Sequence, residues 1–224
     1  MRGYKKRLHA AIWAIIVSVI SLFIATYLPG QNMKVEEAPL SVPAAQNSTA
    51  QRLETLTVKG RAAKTGYSRS QFGSGWVKEG GCDMRNTILA RDMADVIRNE
   101  KCQVVSGRLV DPYTGTGVTF LKGSQTSQDV QIDHIVSLSN AWQTGAQQLS
   151  KERRIQLAND PINLIAVEGS INQAKGESDA ASWLPPNKLF RCEYISRQVE
   201  VKYAYGLWVT PSEKDAMVRV LSTC

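Results

Sequence analysis

The chain has 224 residues, a formal net charge of +7, four cysteines and two histidines. This length suits one well-filled domain with an added anchor or tail. Only His134 lies beyond the basic N-terminal stretch, which excludes sites with three imidazole ligands and two-histidine zinc helices.

The first thirty residues predict a membrane-targeting segment. Four basic residues precede an uncharged run from Ala10 to Leu28, close to the roughly 20 residues that cross a bilayer as a helix. The sequence YLPG follows, which is a poor cleavage site. We therefore expect residues 1–30 to be an uncleaved transmembrane anchor, and the alternative is a secreted protein if this segment is cleaved. The basic cluster should keep its side in the cytoplasm and send the remainder across the membrane.

Net charge says little about partners. Four of the 27 basic residues and none of the 20 acidic residues precede Gln31, so the remainder has a net charge of only +3. A nucleic-acid partner must therefore be argued from local residues.

Residues 31–52 predict a flexible linker, because Pro, Ala, Ser and Asn are scattered without an apolar period. Residues 53–224 predict one α+β domain, mainly helical with small sheet pieces. The first expected elements are a helix over residues 86–100 and two strands, VVSGRLV and VTFL, around a Gly-rich turn.

Further elements follow Asp133-His134. Two helices, LSNAWQTGAQQL and SKERRIQLAND, precede a short strand, NLIAV, and a helix that begins near SINQAK. Ser150 is the expected N-cap of the second helix. A longer helix should run over residues 188–205 and end at Gly206. Thr210, Pro211 and Glu213 predict a capping box at the start of the last helix.

The cysteines predict disulfides, since all four lie on the exported side, where an oxidising environment preserves them. Four cysteines allow three connectivities. We favour Cys82 with Cys102 and Cys192 with Cys224, because each pair closes a short loop. Closing a loop of about 20 residues contributes on the order of 3 kcal/mol.

The stretch VQIDHIVSL places Asp133 beside His134. An imidazole, with an ordinary pKa of about 6.5, suits general-base catalysis. Adjacent strand residues point to opposite sides, so the carboxylate is expected to hold a cation while the imidazole takes a proton. Asn163 and Asn172 offer amide oxygens, which Mg²⁺ accepts beside carboxylates and substrate phosphates.

These residues resemble the HNH, or ββα-metal, endonuclease motif, with asparagine as its last letter. The segments GCDMRNTILARD, LVDPYTG, QIDHIVSLSNAWQTGA, LANDPINLIAV, NQAKGESDAASWLPPN and YGLWVTPSEKDAM resemble the exported HNH proteins of actinobacteria. Those proteins are related to the C-terminal nuclease domain of modification-dependent restriction enzymes. The resemblance runs from about Tyr67 to the end of the chain and implies a ββα-metal core.

The resemblance implies hydrolysis of DNA or RNA outside the cytoplasm. His134 would be the general base, and Asn163 would hold the loop that carries it. Asp133 and Asn172 would ligate one divalent cation, and Asn172 in place of a final histidine favours Mg²⁺ or Mn²⁺ over zinc or nickel. Lys175, Arg85 and Arg154 are candidates for phosphate contacts. No organic cofactor is implied.

One further departure and several alternatives accompany this interpretation. Ser137 stands where many HNH proteins have proline. Asn163 and Asn172 could instead cap turns or helices, and Lys175 and Arg154 could be solvated charges. A non-catalytic extracytoplasmic protein that binds nucleic acid or the envelope could use the same fold. A serine hydrolase using His134 is a weaker alternative, because the chain has no G-x-S-x-G motif.

Overall fold

The computed structural model describes residues 44–224, with side chains from Thr49 onward. They form a mixed α+β fold in which helix exceeds strand. The helices are Ala44–Thr55 (α1), Met84–Asp92 (α2), Leu138–Gln143 (α3), Lys151–Asn159 (α4), Gly169–Lys175 (α5), Arg191–Tyr205 (α6) and Pro211–Leu221 (α7). The strands are Lys78–Glu79 (β1), Cys82–Asp83 (β2), Ala94–Arg98 (β3), Val104–Val110 (β4), Gly117–Leu121 (β5), Val130–His134 (β6) and Leu164–Glu168 (β7).

Within residues 44–224 the strands form three antiparallel sheets. β1 pairs with β2, β4 lies between β3 and β5, and β6 pairs with β7. The predicted pair of strands around the Gly-rich turn is thus confirmed as β4 and β5.

β6, β7 and α5 form the ββα unit that positions the candidate site. His134 lies opposite Leu164 in the hairpin, and α5 follows β7 directly. Ile132 is buried on one face with residues of α2, whereas Ile165 is buried on the other face among residues of α6 and α7. Because both faces are buried, β7 is almost continuously apolar, whereas β6 places Gln131, Asp133 and His134 among its apolar residues.

Helix α1 begins inside the predicted linker, residues 31–52. Leu53 and Leu56 are buried, and α1 packs against α6 and α7. Arg52 also forms an ion pair with Glu200 of α6. Since the buried leucines come only at the end of this helix, the preceding residues show no apolar period that would indicate it.

The helix predicted over residues 86–100 is wrong in its second half. α2 ends at Asp92, and Ala94–Arg98 is strand β3, paired with β4. Asp95 has a left-handed backbone, with φ of 52°, which no α-helix contains. The spacing of the apolar residues fits a helix, but pairing with β4 satisfies the backbone groups of this segment instead.

Three predicted helix ends are confirmed, whereas the helix predicted over LSNAWQTGAQQL ends at Gln143 and the helix predicted from residue 188 begins at Arg191. The hydroxyl of Ser150 accepts a hydrogen bond from the Arg153 amide at 3.2 Å, which caps α4. Thr210 and Glu213 form the capping box of α7. Gly206 ends α6 with a left-handed φ of 62°.

Both favoured disulfides are present, one joining Cys82 to Cys102 and the other Cys192 to Cys224. The first links β2 to the turn between β3 and β4. The second links the start of α6 to the last residue of the chain. Neither cysteine pair belongs to the ββα unit.

The predicted transmembrane segment, residues 1–30, lies outside the described residues. From residue 44 to residue 224, no helix has the length and apolar character needed to cross a bilayer.

Candidate active site

His134 ends β6 and is buried beside Trp76. The two rings are nearly parallel, with 8° between their planes and 6.0 Å between their centroids. Both rings line a cavity of about 110 Å³ together with Arg69, Ala158 and Asn159. The imidazole is 6% exposed, so it borders the cavity without projecting into solvent.

One hydrogen bond sets the tautomer of His134. Its Nε2 lies 3.0 Å from the carbonyl oxygen of Ala158. Because a carbonyl oxygen can only accept, Nε2 carries the hydrogen and Nδ1 carries the lone pair. No residue in the described part of the chain hydrogen-bonds to Nδ1.

Burial lowers the pKa of His134 to about 4, although the Ala158 hydrogen bond and the negative charge of Asp133 act in the opposite direction. The positive charge of Arg69 adds to the lowering. The imidazole is therefore neutral near pH 7, with one nitrogen able to accept a proton.

Asn163 is fully buried and holds the loop that follows His134. Its Oδ1 accepts from the Val136 amide at 2.8 Å, and its Nδ2 donates to the carbonyl oxygens of Val136 and Leu157 at 3.4 and 3.3 Å. Its own carbonyl oxygen accepts from the Ile135 amide at 2.8 Å. These bonds tie the loop to α4, and the contribution of Asn163 to catalysis stays a prediction.

Asp133 lies on the opposite face of the hairpin from His134. Its carboxylate is 2.9 Å from Nζ of Lys175 and accepts a 2.5 Å hydrogen bond from the Tyr113 hydroxyl. Nζ of Lys175 also donates to the His134 carbonyl oxygen at 2.9 Å. Burial, followed by the charge of Asp133, raises the pKa of Tyr113 well above its ordinary value. Asp133 and His134 therefore lie on opposite faces of the hairpin, and the Asp133 carboxylate is already part of a buried ion pair with Lys175.

Asn172 lies on α5, where its amide donates to the side-chain oxygen of Gln131 at 2.9 Å. Gln131 and Asp133 are two residues apart in β6, so Asn172 is on the same face as Asp133. A divalent ion on Asp133 would lie close to the ammonium of Lys175, which already balances the carboxylate charge. Within the described residues, no group of three or more His, Cys, Asp or Glu side chains could hold a metal.

As arranged, Asp133 and Asn172 do not fit a divalent cation. One carboxylate that is already paired and one amide offer too little negative charge, since Mg²⁺ sites use at least one free carboxylate with substrate phosphates. The ligand pair Asp133 and Asn172 stays a prediction.

The residues predicted to contact phosphates all hold other parts of the protein. Arg85 donates to the carbonyl oxygens of Ser127 and Val130, at 3.2 and 3.1 Å, at the start of β6. Arg154 donates to the Gln71 carbonyl oxygen at 3.0 Å. Lys175 is buried, and neither arginine lines the His134 cavity. Their contacts with phosphate stay predictions.

Sequence reasoning missed Arg69 and Trp76, which line the cavity from a segment more than fifty residues before His134. The Val77 amide donates to the Asn159 side chain at 3.0 Å, which holds this segment against α4. The available signal was the stretch SRSQFGSGW, in which a basic residue and a tryptophan flank two glycines. Gly73 has a φ of 104°, a value that strongly favours glycine.

Comparison with known proteins places the ββα unit in a family context. A family model described as GmrSD restriction endonucleases, C-terminal domain, matches residues 83–220. An uncharacterized secreted protein of Arthroderma benhamiae is 40% identical over 189 residues, which are 83% of this chain and 89% of the relative. No solved structure matches the chain. The match includes β6, β7 and α5, whereas Arg69 and Trp76 precede it.

Proposed function

Because the chain belongs to the family of GmrSD restriction endonuclease C-terminal domains, we propose that it is an endonuclease that hydrolyses phosphodiester bonds in DNA or RNA, with His134 as general base. The observation that carries the proposal is the 3.0 Å contact between Nε2 of His134 and the Ala158 carbonyl oxygen, from which the tautomer follows. A neutral imidazole whose Nδ1 is unbonded, and whose Nε2 is held by Ala158, is oriented to take a proton from water.

The proposed reaction is a direct attack by water on phosphorus. Nδ1 of His134 takes a proton from a water molecule in the cavity, and the water oxygen forms a bond to phosphorus. The bond between phosphorus and the 3′ oxygen breaks, and the 3′ oxygen takes a proton from solvent. A phosphate anion near the imidazole favours its charged form and therefore makes it a stronger base than in the free protein.

The loop that follows His134 positions the imidazole for this step. Asn163 and Ala158 together restrict the backbone and the ring of His134, and positioning of reacting groups lowers the barrier by avoiding later loss of entropy. Asn163 therefore acts in this proposal as a positioning residue.

A divalent cation, Mg²⁺ or Mn²⁺, belongs to the proposal at the level of the family, because HNH-type nuclease domains typically use one. When bound, such an ion stabilises charge on the phosphoryl group and the leaving oxygen. No step above is assigned to it, because Asp133 is already paired with Lys175.

Cleavage of plasmid DNA by the purified full-length protein, with Mg²⁺ or Mn²⁺ supplied in separate reactions, tests the proposal. General-base catalysis contributes about 10²- to 10⁴-fold, so the His134→Ala protein should be slower by that factor. Circular dichroism shows whether the variant is folded. Added imidazole should restore part of the activity of the His134→Ala protein. Such rescue is not expected if His134 has only a structural role.

Equal cleavage by both proteins, or no cleavage by the wild type with any tested metal, would reject the proposal. DNA binding without cleavage would then favour the alternative, a non-catalytic extracytoplasmic binding protein.

The proposed location is extracytoplasmic, either anchored to the membrane by residues 1–30 or secreted after their cleavage. Two observations support export. Both cysteine pairs form disulfides, which persist in oxidising compartments. The relative from Arthroderma benhamiae is described as a secreted protein.

A further inference from the structure

Arg69 differs from Arg85 and Arg154, because its side chain does not hold another part of the protein. It is exposed, and no hydrogen bond or ion pair links its guanidinium to any described residue. It nevertheless lines the cavity that contains His134 and Trp76. Its guanidinium is therefore available to a group that enters this cavity.

The backbone that carries Arg69 is held firmly. Phe72, three residues later, is 2% exposed and packs edge-on against Trp142 with ring centroids 6.3 Å apart. Arg154 donates to both the backbone and the side-chain oxygen of Gln71, at 3.0 and 3.2 Å. The turn that contains Arg69 is therefore fastened to α3 and α4, so its side chain is anchored close to the cavity.

Arg69 and His134 line the same cavity, so an anion that enters it lies beside both a cation and the imidazole. The guanidinium would attract such an anion by its positive charge. Guanidinium groups match the geometry of phosphate oxygens and can bind them through two parallel hydrogen bonds.

The size of the cavity identifies what part of a substrate could enter. Its volume of about 110 Å³ exceeds the roughly 15 Å³ that one water needs, but is below the roughly 300 Å³ at which pockets enclose whole small molecules. A phosphate group that protrudes from a polymer backbone fits this space better than a complete nucleotide. Since phosphate contacts carry no sequence information, such a site would accept many sequences.

We propose that Arg69 binds the phosphodiester that lies against His134, and that the segment before the family-matched residues thereby completes the site. This inference rests on the proposed nuclease function, because it assigns the substrate contact of that site. The ligand is a nucleic-acid backbone phosphate.

The test separates binding from cleavage. Fluorescence anisotropy measures the affinity of full-length protein carrying His134→Ala for a fluorescein-labelled DNA duplex at several salt concentrations. Adding Arg69→Ala should weaken binding about 5- to 10-fold and reduce the salt slope by about one phosphate contact, whereas Arg69→Lys should retain most of the affinity. Arg98→Ala is the matched control, because Arg98 is exposed, lies on β3 and does not line the cavity.

Equal affinities and salt slopes for Arg69→Ala and Arg98→Ala would overturn the inference, as would absence of DNA binding. Cleavage by protein with His134 intact is measured separately. Binding that depends on Arg69 without any cleavage would reject the nuclease proposal and leave the phosphate site standing. Cleavage that is unaffected by Arg69→Ala would reject the phosphate site and leave the nuclease proposal standing.

Discussion

Nζ of Lys175 lies 2.9 Å from the carboxylate of Asp133, and both side chains are buried. The pair joins α5 to β6 on the face of the hairpin opposite the imidazole of His134. Lys175 also reaches the carbonyl oxygen of His134, so the same ammonium holds the backbone of the candidate general base. Lys175, which was predicted to contact the substrate, is thus buried and holds the backbone of the candidate site.

Replacing Lys175 by Met should strongly destabilise the protein. The change leaves the Asp133 charge buried without a cation, which costs about 3–5 kcal/mol of the free energy of unfolding. Urea denaturation of the two proteins measures the difference. Lys64→Met is the matched control, because the Lys64 pair with Glu177 is exposed and worth about 1 kcal/mol or less. Equal losses for the two variants would contradict the assigned role of the buried pair.

The same pair predicts how the protein responds to divalent metal. Because Lys175 compensates Asp133, the Lys175→Met protein should bind Mn²⁺ more tightly than the wild type, by about tenfold or more. Isothermal titration calorimetry measures both affinities. The Asp133→Asn/Lys175→Met protein should lose the gain, since the carboxylate is gone. Tight Mn²⁺ binding by the wild type, if Asp133→Asn abolishes it, would contradict this prediction. It would show that the metal displaces Lys175 from Asp133.

Stability should fall as the pH decreases from about 6.5 to about 4. The folded pKa of His134, about 4, is below the ordinary value of 6.5, so in this range the unfolded chain binds a proton that the folded chain does not. The contribution is fully present above about pH 6.5 and is lost as the pH falls through about 4, amounting to about 3 kcal/mol.

Urea denaturation at several pH values, compared with His134→Gln, isolates this contribution. Glutamine can still donate to the Ala158 carbonyl oxygen but does not titrate. The stability gap between the two proteins should narrow by about 3 kcal/mol on acidification. Parallel pH profiles would show that His134 is not buried in its neutral form.

Replacing Asn163 by Ala should reduce both stability and cleavage. The change leaves the Val136 amide and the Leu157 carbonyl oxygen without their partner, and each unpaired buried group costs about 1–3 kcal/mol. Cleavage should fall by about 10- to 100-fold, because the loop that positions His134 is released. Denaturation and plasmid cleavage under folding conditions measure the two effects.

Asn99→Ala is the matched control for this change. The side-chain oxygen of Asn99 accepts from the backbone amides of Lys101 and Gln103, both at 3.0 Å, but Asn99 is exposed in the turn between β3 and β4. Water can replace its bonds, so we expect a smaller loss of stability and unchanged cleavage. A comparable loss of cleavage in Asn99→Ala would contradict the positioning role of Asn163.

The features that sequence predicts well are those that nearby residues determine. The caps at Ser150 and Thr210 depend on hydrogen bonds within four residues, and both are present. The left-handed Gly206 likewise ends α6 where a glycine is expected. For these helix ends, the residues that form the sequence pattern are the same residues that make the stabilising hydrogen bonds or adopt the left-handed backbone.

The features that sequence does not predict depend on partners far along the chain. The apolar spacing of residues 94–98 allows a helix, and only pairing with β4 makes the segment a strand. The buried pairing of Lys175 with Asp133, which lies 42 residues earlier in the chain, likewise has no local signal, and its contact with phosphate stays a prediction. The cavity wall formed by Arg69 and Trp76 comes from a segment that no local pattern connects with His134.

The positions of the disulfides have a practical consequence for expression. A fragment cut at the boundaries of family similarity, residues 83–220, would omit Cys82 and Cys224 and leave Cys102 and Cys192 as free thiols. It would also remove α1 and the segment that carries Arg69. The unit that must be produced intact is therefore longer at both ends than the similar region, and an inactive short fragment would say nothing about the activity of the protein.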